Sequence, residues 1–301
     1  MHRGREGIVD LTKILAVRRV EDDLFEGSVG PSIGPRLFGG QAVAQALLAA
    51  CEEEDAGRLP HSLHAHFLKA GSSNDPVLYR VSTLSKGRSF ATRRVDGIQD
   101  DTIIFTMTAS FHVEEAGFEH ESPAPFDLDV ETALASLARW RDHNVKVSDS
   151  PIISRLQNRP IEIVPLDPGS LFGTRAREPR TGVWMRMRDP AGPDPLVQRA
   201  LLAYASDMMF LRNAMLPHSI RPGSSKVQAA SLDHAIWFHR TPDLDRWHLF
   251  ATESPWAGYG RGLNRGHFYD EEGRMVASVT QESLMRPMGE ARANLEPIQR
   301  N

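Results

Sequence analysis

The segment from Val197 to Arg240 constrains the fold more than any other stretch of the chain. Val197, Leu201, Tyr204, Met208, Leu211 and Met215 recur at helical spacing, while Leu202, Met209 and Phe210 lie on the opposite side of the same cylinder. A helix apolar on both sides must be wrapped by other structure, because packing on one face would leave the other in water. One acid, Asp207, sits in this apolar surface beside the small residues Ala200, Ala203 and Ala214. After Pro217 and the turn at Pro222-Gly223, residues 227 to 239 have the length and aromatic content of a strand, with Ser231 near its start.

The same grammar occurs earlier. From Leu37, LFGGQAVAQALLAACEEE reads as a first apolar helix opened by two glycines. Strands are expected at 61–70, 77–84, 90–99 and, after the Asp100-Asp101 turn, at 102–112. The second half repeats the order: the helix from Val197 to about Leu216, then strands at 227–239, 247–254, 262–269 and 274–286. An apolar helix embraced by a curled antiparallel sheet is the hotdog arrangement, and the expected fold is therefore α+β, a tandem (double) hotdog. The expected limits are an N-terminal hotdog over 1–115, a proline-rich connector over 116–180 and a C-terminal hotdog over 181–301. The connector follows from the placement of prolines, ten of the chain's 20 falling between Pro123 and Pro195. Within it, Val130 to Trp140 reads as a helix and Ile161 to Pro165 as a strand; TGVWMRMR, from Thr181, opens the second sheet.

Composition narrows the function classes. A net charge of −4 gives no global basic field for nucleic acid or an anionic membrane. The one cysteine, Cys51, suits a reducing compartment and reads as a small buried residue. The N-terminal sequence lacks a signal-peptide core, no window reaches the length of a membrane span, and EPIQRN is not a peroxisomal address, so the cytoplasm is expected. His61, His64 and His66 do not form a metal set, since His61 points away from the other two and no carboxylate lies at ligand spacing. Gly258, Gly260 and Gly262 fall between strands and make a loop, not a dinucleotide fingerprint. Gly30 to Gly34 matches G-x-S-x-G, but Pro31 and Pro35 remove the strand-turn-helix context of a nucleophile elbow. Neither metal nor cofactor is expected.

The residues that could carry chemistry lie in the second half. By period-two alternation Met275, Ala277, Val279, Gln281, Ser283 and Met285 share one face of the last strand. A glutamine amide turned toward an apolar helix requires polar partners, and Asp207 is on the helix this sheet should wrap.

Six ordered blocks, LFGGQAVAQAL, FHVEEAGFEH, YASDMMFL, ASLDHAIWFHR, RGHFYDEEG and VASVTQESLMR, resemble the type II acyl-CoA thioesterase family along nearly the whole chain. In that family an aspartate of the second helix, a threonine of the following strand and a glutamine of the last strand hold the hydrolytic water. The resemblance implies Asp207, Ser231 and Gln281 for these roles, with serine replacing the usual threonine and keeping its hydroxyl. It implies an acyl-CoA substrate and, by the habit of hotdog surfaces, a homo-oligomer. The first half lacks its own copy of the three residues, offering the Gly39 to Gln41 region where the second helix has Asp207 and Ala109 or Ser110 opposite Gln281, so one active site per chain is expected. The helix start at Gly39 and Gly40 offers amides for a developing oxyanion, and Arg88, Arg93 and Arg94 are candidate ligands for the coenzyme phosphates. Two other classes compete. A hotdog hydratase pairs its helix aspartate with a histidine five residues on, where this chain has Arg212. A non-catalytic acyl-CoA-binding protein would use the same pocket without needing Asp207 or Gln281.

Overall fold

The computed structural model describes residues 10–30, 34–52, 57–126, 129–144, 159–172, 175–220, 224–289 and 291. The G-x-S-x-G serine, Ser32, lies outside the described residues. Two helices form the interior: α2, Gly39–Glu52, and α5, Pro195–Ser206. Asp194 caps α5 by accepting from the amides of Leu196 and Val197, and Pro195 occupies the first turn, where no amide is needed. Both helices are buried on nearly all sides, as their apolar circumference requires. The start of α2 meets the end of α5, since a β-carbon on Gly40 would stand 2.5 Å from the Tyr204 carbonyl oxygen.

Around the helices runs one antiparallel sheet of thirteen described strands. In chain order they are β1 Val17–Glu21, β2 Leu24–Gly27, β3 Arg58–Phe67, β4 Leu78–Lys86, β5 Phe90–Gln99, β6 Thr102–Val113, β7 Ile161–Pro165, β8 Arg180–Met187, β9 Val227–Ser231, β10 Asp233–Phe238, β11 His248–Gly258, β12 Arg261–Tyr269 and β13 Met275–Pro287. The spatial order is β1-β2-β4-β5-β6-β3-β10-β13-β12-β11-β8-β7, with β9 also pairing β13. Replacing each first-half strand by its second-half counterpart reads the order back from the other end, so the two hotdogs join edge to edge through β3 and β10. The other α-helices among the described residues are α1 Leu11–Leu15, α3 Val130–His143, α4 Pro168–Phe172 and α6 Arg212–Met215.

Turn chemistry closes the hairpins. Asp100 and Asp101 (φ 46° and 55°) join β5 to β6, and Tyr259 and Gly260 (φ 51° and 75°) join β11 to β12. Two consecutive left-handed residues match the twist of the strands they connect. The glycine run at 258–262 is thus a hairpin. The connector is more than a tether: β7 pairs along β8 from Ile161↔Met187 to Pro165↔Val183, and α3 packs Val130, Ala133 and Leu137 against Trp184, Trp247 and Tyr269.

Two elements depart from the sequence expectation. The second helix does not run on to Leu216; it ends at Ser206, turns through Met209 (φ 66°) and resumes only as α6. No glycine or proline marks the break. It is held from outside, by Asn264 accepting from the Ala214 amide and by Thr181 donating to Asn213, so tertiary hydrogen bonds override helical periodicity. The expected strand at 227–239 is likewise two strands. Pairing with β13 shifts between Ser231↔Ser283 and Ala235↔Thr280, which places one extra residue in the first strand. That bulge switches the inward face from Val227, Ala229 and Ser231 to His234, Ile236 and Phe238.

The close contact of the two helices gives a direct test. Gly40→Ala forces its methyl into the Tyr204 carbonyl and the Phe38 ring, at 2.5 and 2.6 Å. Equilibrium urea unfolding should show a loss of about 1–3 kcal/mol; unchanged stability would mean that α2 and α5 do not pack as described.

Candidate active site

The termination of α5 defines the site. Asp207 is its C-cap residue, not a mid-helix acid, and its carboxylate points at the first turn of α2. Oδ2 accepts from the Gly40 amide at 2.9 Å, and Oδ1 accepts from Gln281 Nε2 at 2.7 Å and from Ser231 Oγ at a longer 3.4 Å. The structure therefore brings together Asp207, Ser231 and Gln281 from α5, β9 and β13. The bulge at Leu232 is what turns Ser231 inward, because unbroken alternation with His234 and Ile236 would point it away from the helix.

Gly39 and Gly40 stand beside the carboxylate for steric as much as electronic reasons. A β-carbon on Gly39 would lie 2.7 Å from Asp207 Oδ2 and 3.0 Å from the Phe67 ring. The Gly40 amide, expected from sequence to face an oxyanion, is committed to the aspartate instead. Asp207 thus lies between the negative end of α5 and the positive end of α2, with dipole effects of opposite sign. Burial decides the balance. It pushes the carboxyl up from 3.8 to about 6, against the lowering effect of the hydrogen bonds from Gln281, Gly40 and Ser231. The residue keeps part of its surface open at the rim of the site.

Behind Gln281 is a group of buried polar residues not foreseen in the sequence. Gln281 Nε2 also lies 3.1 Å from His234 Nδ1, His234 Nε2 lies 2.8 Å from Ser206 Oγ, and Ser206 Oγ donates to the Ala203 carbonyl at 2.9 Å. Ser283 Oγ donates to Gln281 Oε1 at 3.4 Å. Ser206, His234, Gln281 and Ser283 are all fully buried. Burial holds His234 down at about 3, so its ring is neutral. His234 could be found from sequence only by locating the extra residue at Leu232, since simple alternation from Ser231 places it outside.

The arginines do not assemble into a common phosphate surface. Arg88 is in the exposed turn between β4 and β5, Arg94 pairs outward with Asp96, and Arg93 points into the first hotdog, 1% exposed, donating to the Ser85 carbonyl. Consecutive strand residues face opposite sides, which separates Arg93 from Arg94. His61 holds Ser110 and His64 packs edge-on against Trp237 on the outer sheet face.

A buried carboxylate able to accept a proton near neutrality, with a hydroxyl and an amide beside it and a helix embraced by each half of the sheet, defines a double-hotdog protein with a basic carboxylate where its two helices meet. Comparison with known proteins gives the family. Residues 28–112 match the acyl-CoA thioesterase N-terminal domain and residues 133–285 the acyl-CoA thioesterase C-terminal domain. The chain is 34% identical over 284 residues to acyl-CoA thioesterase 2 of Haemophilus influenzae, covering 92% of this chain and 97% of that protein. It is 36% identical over 287 residues to human acyl-coenzyme A thioesterase 8, covering 92% and 88%. Among solved structures it is similar to an acyl-CoA thioesterase II from Mycobacterium marinum, with a TM-score of 0.74, 30% identity and coverage of 95% and 98%. The chain belongs to the acyl-CoA thioesterase family.

The raised carboxyl carries a signed consequence for stability. With a folded value of about 6 above the ordinary 3.8, the Asp207 contribution is fully present below the ordinary value and is lost as pH rises through 6. Between about pH 4 and pH 8, Asp207→Asn should therefore gain on the parent by up to about 3 kcal/mol, whatever constant offset the substitution introduces. Urea unfolding across that range measures it. Parallel pH profiles for the two proteins would contradict the buried carboxylate.

Proposed function

We propose that this thioesterase hydrolyses medium- to long-chain fatty acyl-CoA to the free fatty acid and coenzyme A by direct attack of water, with Asp207 as general base. The observation that carries this reading is the Asp207 carboxylate, held by Gly40 and Gln281 in surroundings that raise its pKa to about 6. Such a group is ionised at neutral pH yet basic enough to take a proton from water. The water oxygen bonds to the thioester carbonyl carbon while its proton passes to Asp207. Collapse of the tetrahedral intermediate breaks the carbon–sulfur bond, and the same proton goes to the departing sulfur. Ser231 orients the water, and Gln281 fixes the carboxylate that takes its proton. The long Ser231–Asp207 contact of 3.4 Å leaves the hydroxyl able to turn toward the water. Gly40 tunes the base, and Gly39 keeps the approach open.

A covalent serine mechanism is disfavoured by the partners. Ser231 contacts a carboxylate and no imidazole, while the nearby His234 is bonded to Ser206 and Gln281. A hydratase is disfavoured because Arg212, five residues after Asp207, bonds the Ser170 carbonyl. We take residues 1–115 and 181–301 as the two hotdog units and 116–180 as the connector, which lends β7 and α3 to the second sheet. Among the described residues no helix is long and apolar enough to cross a membrane; a cytoplasmic location and action without metal or cofactor belong to the same reading.

Substitutions separate the roles. Asp207→Asn should lower kcat by roughly 10²- to 10⁴-fold with KM little changed, and Gln281→Ala should be severe. Ser231→Thr should retain activity, and Ser231→Ala should leave a measurable residue of it with no acylated serine detectable by mass spectrometry. In the parent enzyme kcat/KM should rise with pH along a limb centred at about 6. Accumulation of an acyl group on Ser231, or a pH-flat rate between about 5 and 8, would overturn the mechanism.

We also propose assembly as a homo-oligomer, supported by the exposure of Trp237 in the middle of the outer sheet face. Light scattering should give a mass that is a multiple of 33.5 kDa; a monomer at assay concentration would exclude it.

A further inference from the structure

We propose that His234 is a positioning residue for the hydrolysis: with Ser206 it dictates which end of the Gln281 amide faces Asp207. The inference rests on the reading of Asp207 as the base and goes beyond it, because His234 touches neither Asp207 nor the reacting atoms.

The Ala203 carbonyl can only accept, so the Ser206 hydroxyl hydrogen, 2.9 Å away, is given to it. Ser206 Oγ is then left to accept from His234 Nε2 at 2.8 Å, which places the imidazole proton on Nε2. Nδ1 consequently carries a lone pair, and the Gln281 atom 3.1 Å from it must be the amide nitrogen. The second hydrogen of that nitrogen is directed at Asp207 Oδ1, 2.7 Å away. Gln281 Oε1 is turned to Ser283. Each step follows from the one before, and the chain is anchored at both ends by groups that cannot donate, a backbone carbonyl and an ionised carboxylate.

Reversing the glutamine would set its oxygen against both the Asp207 carboxylate and the Nδ1 lone pair. To accommodate it, His234 would have to move its proton to Nδ1 and Ser206 would have to give up Ala203. Ser206, His234, Gln281 and Ser283 are excluded from water, so no solvent can repair a mismatch among them. The neutral ring stays neutral because it is buried among these groups and the edge of Phe210, with its ring centroid 6.2 Å away. Among the described residues, Asp207 is the acid within this network, separated from His234 by Gln281.

The test combines kinetics with direct observation of the ring. His234→Leu removes the acceptor that fixes Gln281; kcat should fall about 10- to 100-fold with KM within about threefold. The acid limb of kcat/KM should move to higher pH, because Asp207 loses a donor that lowers its pKa. His234→Asn, whose amide oxygen can occupy the Nδ1 position, should restore most of the rate and return the limb. In a Gln281→Ala background His234→Leu should add little, since it acts through the glutamine. In the full-length parent labelled with nitrogen-15 histidine, His234, assigned by its loss in His234→Asn, should show a protonated Nε2 and bare Nδ1 without titrating between about pH 5 and pH 8. A proton on Nδ1, additive effects in the two backgrounds, or a parental rate and limb in His234→Leu would overturn the proposal. These outcomes are separable from failure of the base itself, which is read by Asp207→Asn alone, while the tautomer is observed without any activity measurement.

Discussion

The contact on which the structure depends is the hydrogen bond from the Gly40 amide to the Asp207 carboxylate, 2.9 Å long and made between residues 167 apart in sequence. It joins the first turn of one wrapped helix to the C-cap of the other, so neither hotdog has this site alone. A hydrogen bond to a charged acceptor typically contributes about 1.5–3 kcal/mol, yet here the same burial that makes it strong also penalises the charge. The outcome is a carboxyl raised to about 6, because burial outweighs the hydrogen bonds that lower it. Around it the small residues are explained: a β-carbon on Gly39 would meet the carboxylate, and one on Gly40 would separate the helices.

The second hotdog clamps the segment carrying this carboxylate from both sides. Before it, Ser206 is tied to His234; after it, Ala214 is tied to Asn264 and Asn213 to Thr181. Asn264 is opposite Gln281 in the β12/β13 pair, so the strands that wrap the helix also set where it stops. The non-glycine left-handed turn at Met209 is tolerated because these bonds over-determine it. A helix continued to Leu216 would satisfy local propensity better and lose the site.

Much of this was legible in the sequence, for reasons of period. Strand β5 begins and ends where alternation places it, and the inward set Ala277, Val279, Gln281 and Ser283 on β13 follows from the same rule. The double hotdog was legible because an apolar helix followed by strands occurs twice. What was not legible was anything decided by a single residue of register. The end of α5 at Asp207 carries no breaker, since it is imposed by partners far away in the chain. The extra residue at Leu232 has no local signature, and with it went the inward placement of His234. Consecutive arginines at 93 and 94 looked like one basic patch, whereas the pleat sends one into the core and the other to solvent. β1 has no signal of its own, because Val17–Glu21 is mostly exposed and its pattern lacks a buried face.

The central claim is that Asp207 is ionised at neutral pH but retains a proton far above the ordinary carboxylate range. It is tested most directly by following that carboxyl itself. Carbon-13 NMR of aspartate side-chain carboxyls, with the resonance assigned by its absence in Asp207→Asn, reports the titration without substrate or turnover. A midpoint at about 6 is the result this structure predicts, whereas a midpoint at the ordinary 3.8 would contradict the buried base and the mechanism built on it.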